Sequence, residues 1–158
     1  MAEVLAAAGY QTGGFVANAG YLSPTYGLDQ GFDTYAVAPV RGPALNAQAL
    51  DWIDQTDPDR PLFLFVNYMD AHRPYNLAEQ PGWPDPGGNS MTNLNTLLAQ
   101  AARDEPFDSA LLAETMRQYD QGIVNADAAL GALLDALEAR GVLPVSYTHL
   151  TLPTKCWV

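Results

Sequence analysis

The segment Met69 to Tyr75, MDAHRPY, sets a carboxylate, an imidazole, a guanidinium and a phenol within six consecutive residues, Asp70 to Tyr75. An imidazole titrates in the neutral range. Beside an anion His72 can therefore carry a proton, hold an anionic group, or hand that proton to a departing oxygen. Arg73 and Tyr75 add donors for the same kind of anion, and Pro74 stiffens the turn that presents them. Each residue also has a plainer use: His72 as a hydrogen-bonding or capping group, Asp70 as an acceptor of backbone N–H bonds in its own turn, Arg73 as a solvated charge. Asp70 and His72 have the spacing of metal ligands, but two ligands are too few and no second His, Cys or carboxylate cluster has ligand spacing. Asp120 and Asp127, seven apart, share a helix face without forming a site. Asn18, in the run Asn18-Ala19-Gly20, is a second candidate for substrate contact. The chain has no glycine-rich phosphate loop, no Gly-x-Ser-x-Gly and no Cys-x-x-Cys.

The elements that must hold these residues can be read from hydrophobic period and punctuation. Ala2 to Ala8 reads as the end of a helix stopped at Gly9. Thr12 to Ala17 reads as a short buried strand, followed by a long connection through Asn18, Gly20, Ser23, Pro24 and Gly27. Asp33 to Val37 suggests another strand. Pro43 suits a first helical turn, with Leu45, Ala49, Leu50, Trp52 and Ile53 as its apolar face. Leu62 to Tyr68, LFLFVNY, is apolar at almost every position, the pattern of a strand covered on both faces inside a parallel sheet. Residues 77 to 107 are broken by Pro81, Pro84, Pro86, Gly87, Gly88 and Pro106 and read as an insertion or pocket rim, with a short helix over Thr92 to Arg103. Asp108 or Ser109 then caps a long helix ending at Arg140 and Gly141. Its expected inward stripe is Leu112, Met116, Tyr119, Ile123, Ala126, Leu130, Leu133 or Leu134, and Leu137, with a possible kink at Gly122. Helices alternating with strands predict an α/β layered sheet. In such sheets ligands bind beyond the carboxyl ends of the strands, where both Asn18 to Gly20 and MDAHRPY fall.

Composition bounds the function. The chain has 158 residues, 48% hydrophobic and 16% charged, with seven Lys and Arg against eighteen Asp and Glu, a net charge of −11. That suits one globular domain and repels polyanions, so neither nucleic acid nor an anionic membrane is expected as the main partner. No apolar run reaches the roughly 20 residues of a membrane span. The start lacks a signal-peptide pattern, and periplasmic, extracellular and cytoplasmic placement all remain compatible with a chain cut from a longer one.

The closing stretch 146–158, SYTHLTLPTKCWV, differs from the rest: it holds the only lysine, Lys155, and the only cysteine, Cys156. It looks like translated sequencing-adaptor read-through and is expected to be non-native. Residues 1–145 then form the natural part, and Cys156 carries no nucleophile, ligand or disulfide role.

Four blocks in order, AEVLAAAGYQTGGFVAN, GLDQGFDTY, RPLFLFVNYMDAHRPY and YDQGIVNADAALGALLDALEARG, resemble the sulfatase branch of the alkaline phosphatase superfamily. They cover nearly all of Ala2 to Gly141. The resemblance implies an incomplete alkaline-phosphatase-like sheet with flanking helices, and a parent enzyme hydrolysing sulfate esters or sulfated glycans. It also implies a formylglycine made from Cys or Ser in Cys/Ser-x-Pro-x-Arg, beside a calcium ion held by Asp and Asn. His72 occupies the position of a histidine that contacts the sulfate or its leaving oxygen, and Asp70 matches a nearby acid. A cation and a protonated imidazole aimed at these oxygens would stabilise the charge that builds as the S–O bond breaks.

The departures from that pattern are as specific as the match. Cys/Ser-x-Pro-x-Arg is absent, since Ser23-Pro24 lacks both spacing and arginine. The paired N-terminal aspartates and the later Asp-His/Asn-Gly motif are absent too. The expectation is an internal fragment with one side of a pocket, inactive alone and binding no metal at the family site. Such a fragment should be marginally stable and prone to associate. Rival readings are a fragment of a related phosphodiesterase, phosphonate hydrolase or phosphoethanolamine transferase, and, from another class, a non-catalytic α/β interaction module. An unrelated nucleotide-binding α/β domain is disfavoured by the missing phosphate-binding glycines.

Overall fold

The computed structural model describes residues 1–73, 75 and 90–143. Its elements are α1 (Ala2–Ala7), β1 (Gln11–Val16), a 3-10 turn (Pro24–Tyr26), β2 (Thr34–Val37), α2 (Gly42–Ile53), β3 (Leu62–Asn67), α3 (Ser90–Ala102) and α4 (Ser109–Ala139). The three strands form a parallel sheet in the order β2-β1-β3, with Gly14 opposite Tyr35 on one side and Phe65 on the other. This is the mixed α/β architecture expected, with most boundaries displaced by one or two residues.

β1 is central because its short, small-side-chain sequence can be packed from both faces. Gly13 lies under the Trp52 ring, where a β-carbon would stand 2.7 Å from ring carbon. On the same face Phe15 joins Leu45 and Ala49 of α2, all nearly or fully buried, with Trp52, Leu64, Val66 and Tyr68 packed around them. Full burial of a side chain such as Leu45 stabilises the fold by about 1.5–3 kcal/mol. A second cluster joins Ile53 to Leu133 and Leu137, tying α4 to α2 and β3. The opposite face of the sheet carries an aromatic group, with Phe32 5.2 Å from Tyr35 and 5.7 Å from Phe63 between ring centroids.

Side-chain bonds fix the register of β2. Thr12, fully buried, donates its hydroxyl to the Gly31 carbonyl at 2.8 Å and accepts the Asp33 N–H at 2.8 Å, while Asp33 Oδ2 accepts the Thr12 N–H at 2.9 Å.

Two expectations fail in an instructive way. β3 is not covered on both faces among the described residues: it lies at the edge of the three-stranded sheet, and Phe65, on the face away from α2, is 38% exposed. In α4 the buried stripe is Thr115, Gln118, Gly122, Asn125, Ala129, Leu133 and Leu137, whereas Met116 and Ile123 are exposed. The first half of the helix thus turns a polar stripe inward, one position away from the apolar one. The reason is the segment after β3, whose backbone packs directly on Gly122. α4 runs through Gly122 as one 31-residue helix capped by Asp108, which accepts the Ala110 and Leu111 N–H groups at 3.0 Å each. Residues 76–89, much of the expected pocket rim, and the tail 146–158 lie outside the described residues, as does Pro74.

Candidate functional site

Because the strands are parallel, the connections leaving β1 and β3 emerge at the same edge of the sheet. The pairing continues one step past the strands, with Ala17 N–H donating to the Asn67 carbonyl at 3.0 Å. Asn18 and the segment Tyr68 to Arg73 therefore leave the sheet side by side. A polar hollow lined by Gln11, Asp33, Trp52 and Arg60 lies at the opposite, amino edge, away from every candidate residue.

Asp70 is 2% exposed, and both its carboxylate oxygens face the N–H of Gly42, at 3.2 and 3.1 Å. Gly42 opens α2, whose preceding residue, Arg41, supplies no side-chain cap. The carboxylate thus caps a helix 28 positions away in sequence rather than its own turn. An anion at a helix N-terminus stabilises by about 0.3–2 kcal/mol, more when partly buried. On its other side the same residue meets α4. A β-carbon at Gly122 would stand 2.7 Å from the Asp70 carbonyl oxygen and 2.9 Å from the Ala71 Cα. A glycine inside a helix costs about 1 kcal/mol relative to alanine, so this one is explained by the close approach it permits.

His72 follows, exposed, with its N–H bonded to the Met69 carbonyl at 3.0 Å. Its Nδ1 lies 2.6 Å from the Arg73 carbonyl oxygen. A carbonyl can only accept, so Nδ1 carries the hydrogen. Nε2 is left as the atom that can meet an incoming oxygen, as an acceptor in neutral imidazole and a donor in imidazolium. Arg73 is exposed. Tyr75 packs edge-on against Tyr119 of α4, ring centroids 5.6 Å apart. Asn18 turns inward on its own loop, its Oδ1 accepting the Tyr21 N–H at 3.0 Å. Asp70 and Tyr75 thus pack on α4, while His72 is exposed and Asn18 lies on the neighbouring connection.

Beneath them lies a network the sequence reading missed. The Tyr68 hydroxyl donates to Asn46 Oδ1, and Asn46 Nδ2 donates to the Ala129 carbonyl at 2.7 Å, joining β3, α2 and α4. Burial, and then the nearby charge of Asp70, push the Tyr68 phenol up to about 12, against the opposing effect of the Asn46 bond. A Gly-Pro helix start at Gly42 and a mid-helix Gly122 were the available signals for this packing.

Among the described residues no group of three or more His, Cys, Asp or Glu could hold a metal ion. The sequence lacks the Cys/Ser-x-Pro-x-Arg motif. No helix among the described residues is long and apolar enough to cross a membrane.

A model of the sulfatase family matches residues 1–147. No curated protein and no solved structure gives a match.

Proposed function

Since the chain belongs to the sulfatase family, we propose that it is the part of a sulfate-ester hydrolase that presents His72 to the sulfate group or its leaving oxygen. The observation that carries this reading is the His72 geometry. An exposed imidazole at the carboxyl edge of a parallel sheet, with Nδ1 committed to the Arg73 carbonyl, keeps Nε2 for a substrate oxygen. Protonated, Nε2 would donate to the oxygen on which charge develops as the S–O bond breaks, and that proton would leave with the alcohol. Arg73, Tyr75 and Asn18 are proposed as substrate contacts around it. Asp70 was the second catalytic candidate; its burial on Gly42 supports a different use, argued below. Calcium and formylglycine belong to the parent enzyme in this reading. The chain by itself is proposed to be inactive, and 146–158 to be non-native.

Sequencing the source DNA across both ends of the reading frame tests the proposal. An upstream Cys/Ser-x-Pro-x-Arg and a downstream Asp-His/Asn-Gly are expected. The extended protein should then hydrolyse an aryl sulfate, with turnover falling by about 10²-fold or more in His72→Asn and folding unchanged. A native start and stop bounding this same segment would overturn it, and aryl-sulfate turnover by the 158-residue chain alone would overturn the proposed inactivity.

A further inference from the structure

We propose that Asp70 is a positioning residue for His72, acting through a two-sided clamp on the segment that carries it. This rests on the reading of His72 as the sulfate contact. One jaw is the N-terminus of α2: the Asp70 carboxylate, 2% exposed, bonds the Gly42 N–H through both oxygens at 3.1 and 3.2 Å. The other is α4, where Gly122 lets the Asp70 carbonyl and the Ala71 Cα approach to distances that a β-carbon would reduce to 2.7 and 2.9 Å. Between Asp70 and His72 stands a single residue. The His72 N–H closes the turn on the Met69 carbonyl at 3.0 Å, so fixing Asp70 fixes where that turn starts and where the imidazole is set down.

The consequence is a defined tautomer on an otherwise exposed ring. With the turn closed, His72 meets the Arg73 carbonyl through Nδ1 at 2.6 Å. A free imidazole in water populates both tautomers and favours hydrogen on Nε2, which would turn a donor toward solvent in the neutral state. The clamp selects the opposite form, with a lone pair at Nε2 ready to take and return a proton. The carboxylate that the residue pattern offers for acid–base work is instead spent in holding its neighbour.

The test is nitrogen NMR of the His72 ring in the 158-residue chain, read through long-range couplings to the ring protons at a pH where the imidazole is neutral. The wild-type chain should show the Nδ1–H tautomer. Asp70→Asn keeps an acceptor oxygen for the Gly42 N–H and should preserve that signature. Asp70→Ala should shift the ring toward the Nε2–H mixture. Gly122→Ala should do the same, although alanine favours the helix, because its methyl displaces the segment. If Asp70→Ala fails to fold, Gly122→Ala decides the matter. An unchanged Nδ1–H signature in the folded Asp70→Ala or Gly122→Ala chain would overturn the proposal, as would loss of the signature in Asp70→Asn. The readout needs no sulfate, so failure of the clamp and failure of the sulfate-ester reading are separate results.

Discussion

The Tyr68 hydroxyl donates to Asn46 Oδ1, and this bond, together with the Asn46 donation to the Ala129 carbonyl, locks the end of β3 to both packed helices directly below the segment carrying His72. The network makes the fold sensitive to alkali. The Tyr68 phenol is pushed up to about 12, chiefly by burial, so the folded chain holds a proton that the unfolded chain releases near 10. Its contribution is complete below about pH 10 and is lost as pH rises towards about 12. Urea unfolding should show the wild-type chain losing stability across that window more steeply than Tyr68→Phe, and absorbance titration should find one phenol ionising near its upper end. Parallel losses in the two chains would contradict the assignment.

At lower pH, Tyr68→Phe should destabilise the chain by about 1–3 kcal/mol, because it leaves the Asn46 oxygen buried without its donor. Asn46→Ala should cost at least as much, since it removes both bonds. A double variant no worse than Asn46→Ala would show that the two residues act as one unit.

Thr12 makes a comparable prediction for the far edge of the sheet. Thr12→Val keeps the shape but removes the hydroxyl that serves Gly31 and Asp33. A loss of about 1–3 kcal/mol is expected from the unmatched groups. Amide exchange should quicken in β2 before it does in β3.

The rotation of the α4 stripe is open to direct mutation. Leu133, 4% exposed, should cost about 2–5 kcal/mol when cut to alanine. Ile123, 45% exposed, should tolerate glutamine within about 0.5 kcal/mol. Chemical denaturation of both variants checks the pair, and equal losses would restore the stripe read from hydrophobic period.

Acid should act through the other end of α4. Arg140 donates to Asp54 at 2.7 and 2.9 Å, and this pairing holds the Asp54 carboxyl below its ordinary value. The stabilisation is present above the unfolded carboxylate value and is lost as pH falls through the lowered one. Asp54→Asn should therefore differ from wild type at neutral pH and converge with it in strong acid. Added salt should narrow the difference, because the pair is exposed.

Sequence alone determined the alternation of helices and strands, the LFLFVN strand itself and the placement of MDAHRPY beyond its carboxyl end. Those features follow from local hydrophobic period and punctuation, which neighbouring residues settle among themselves. It also carried the family, through four blocks in order, confirmed by the family match over 1–147. Only the tertiary structure decided how Asp70 is used, because its partners, Gly42 and Gly122, stand 28 and 52 positions away and no local pattern relates them. The same holds for the inward polar stripe of α4. Periodicity assigns a helix its apolar face, but the backbone of 70–71 pressing on Gly122 selected the neighbouring face instead. Which side chain faces a site is fixed by packing between distant elements, and packing energy exceeds the small local preferences that a sequence displays.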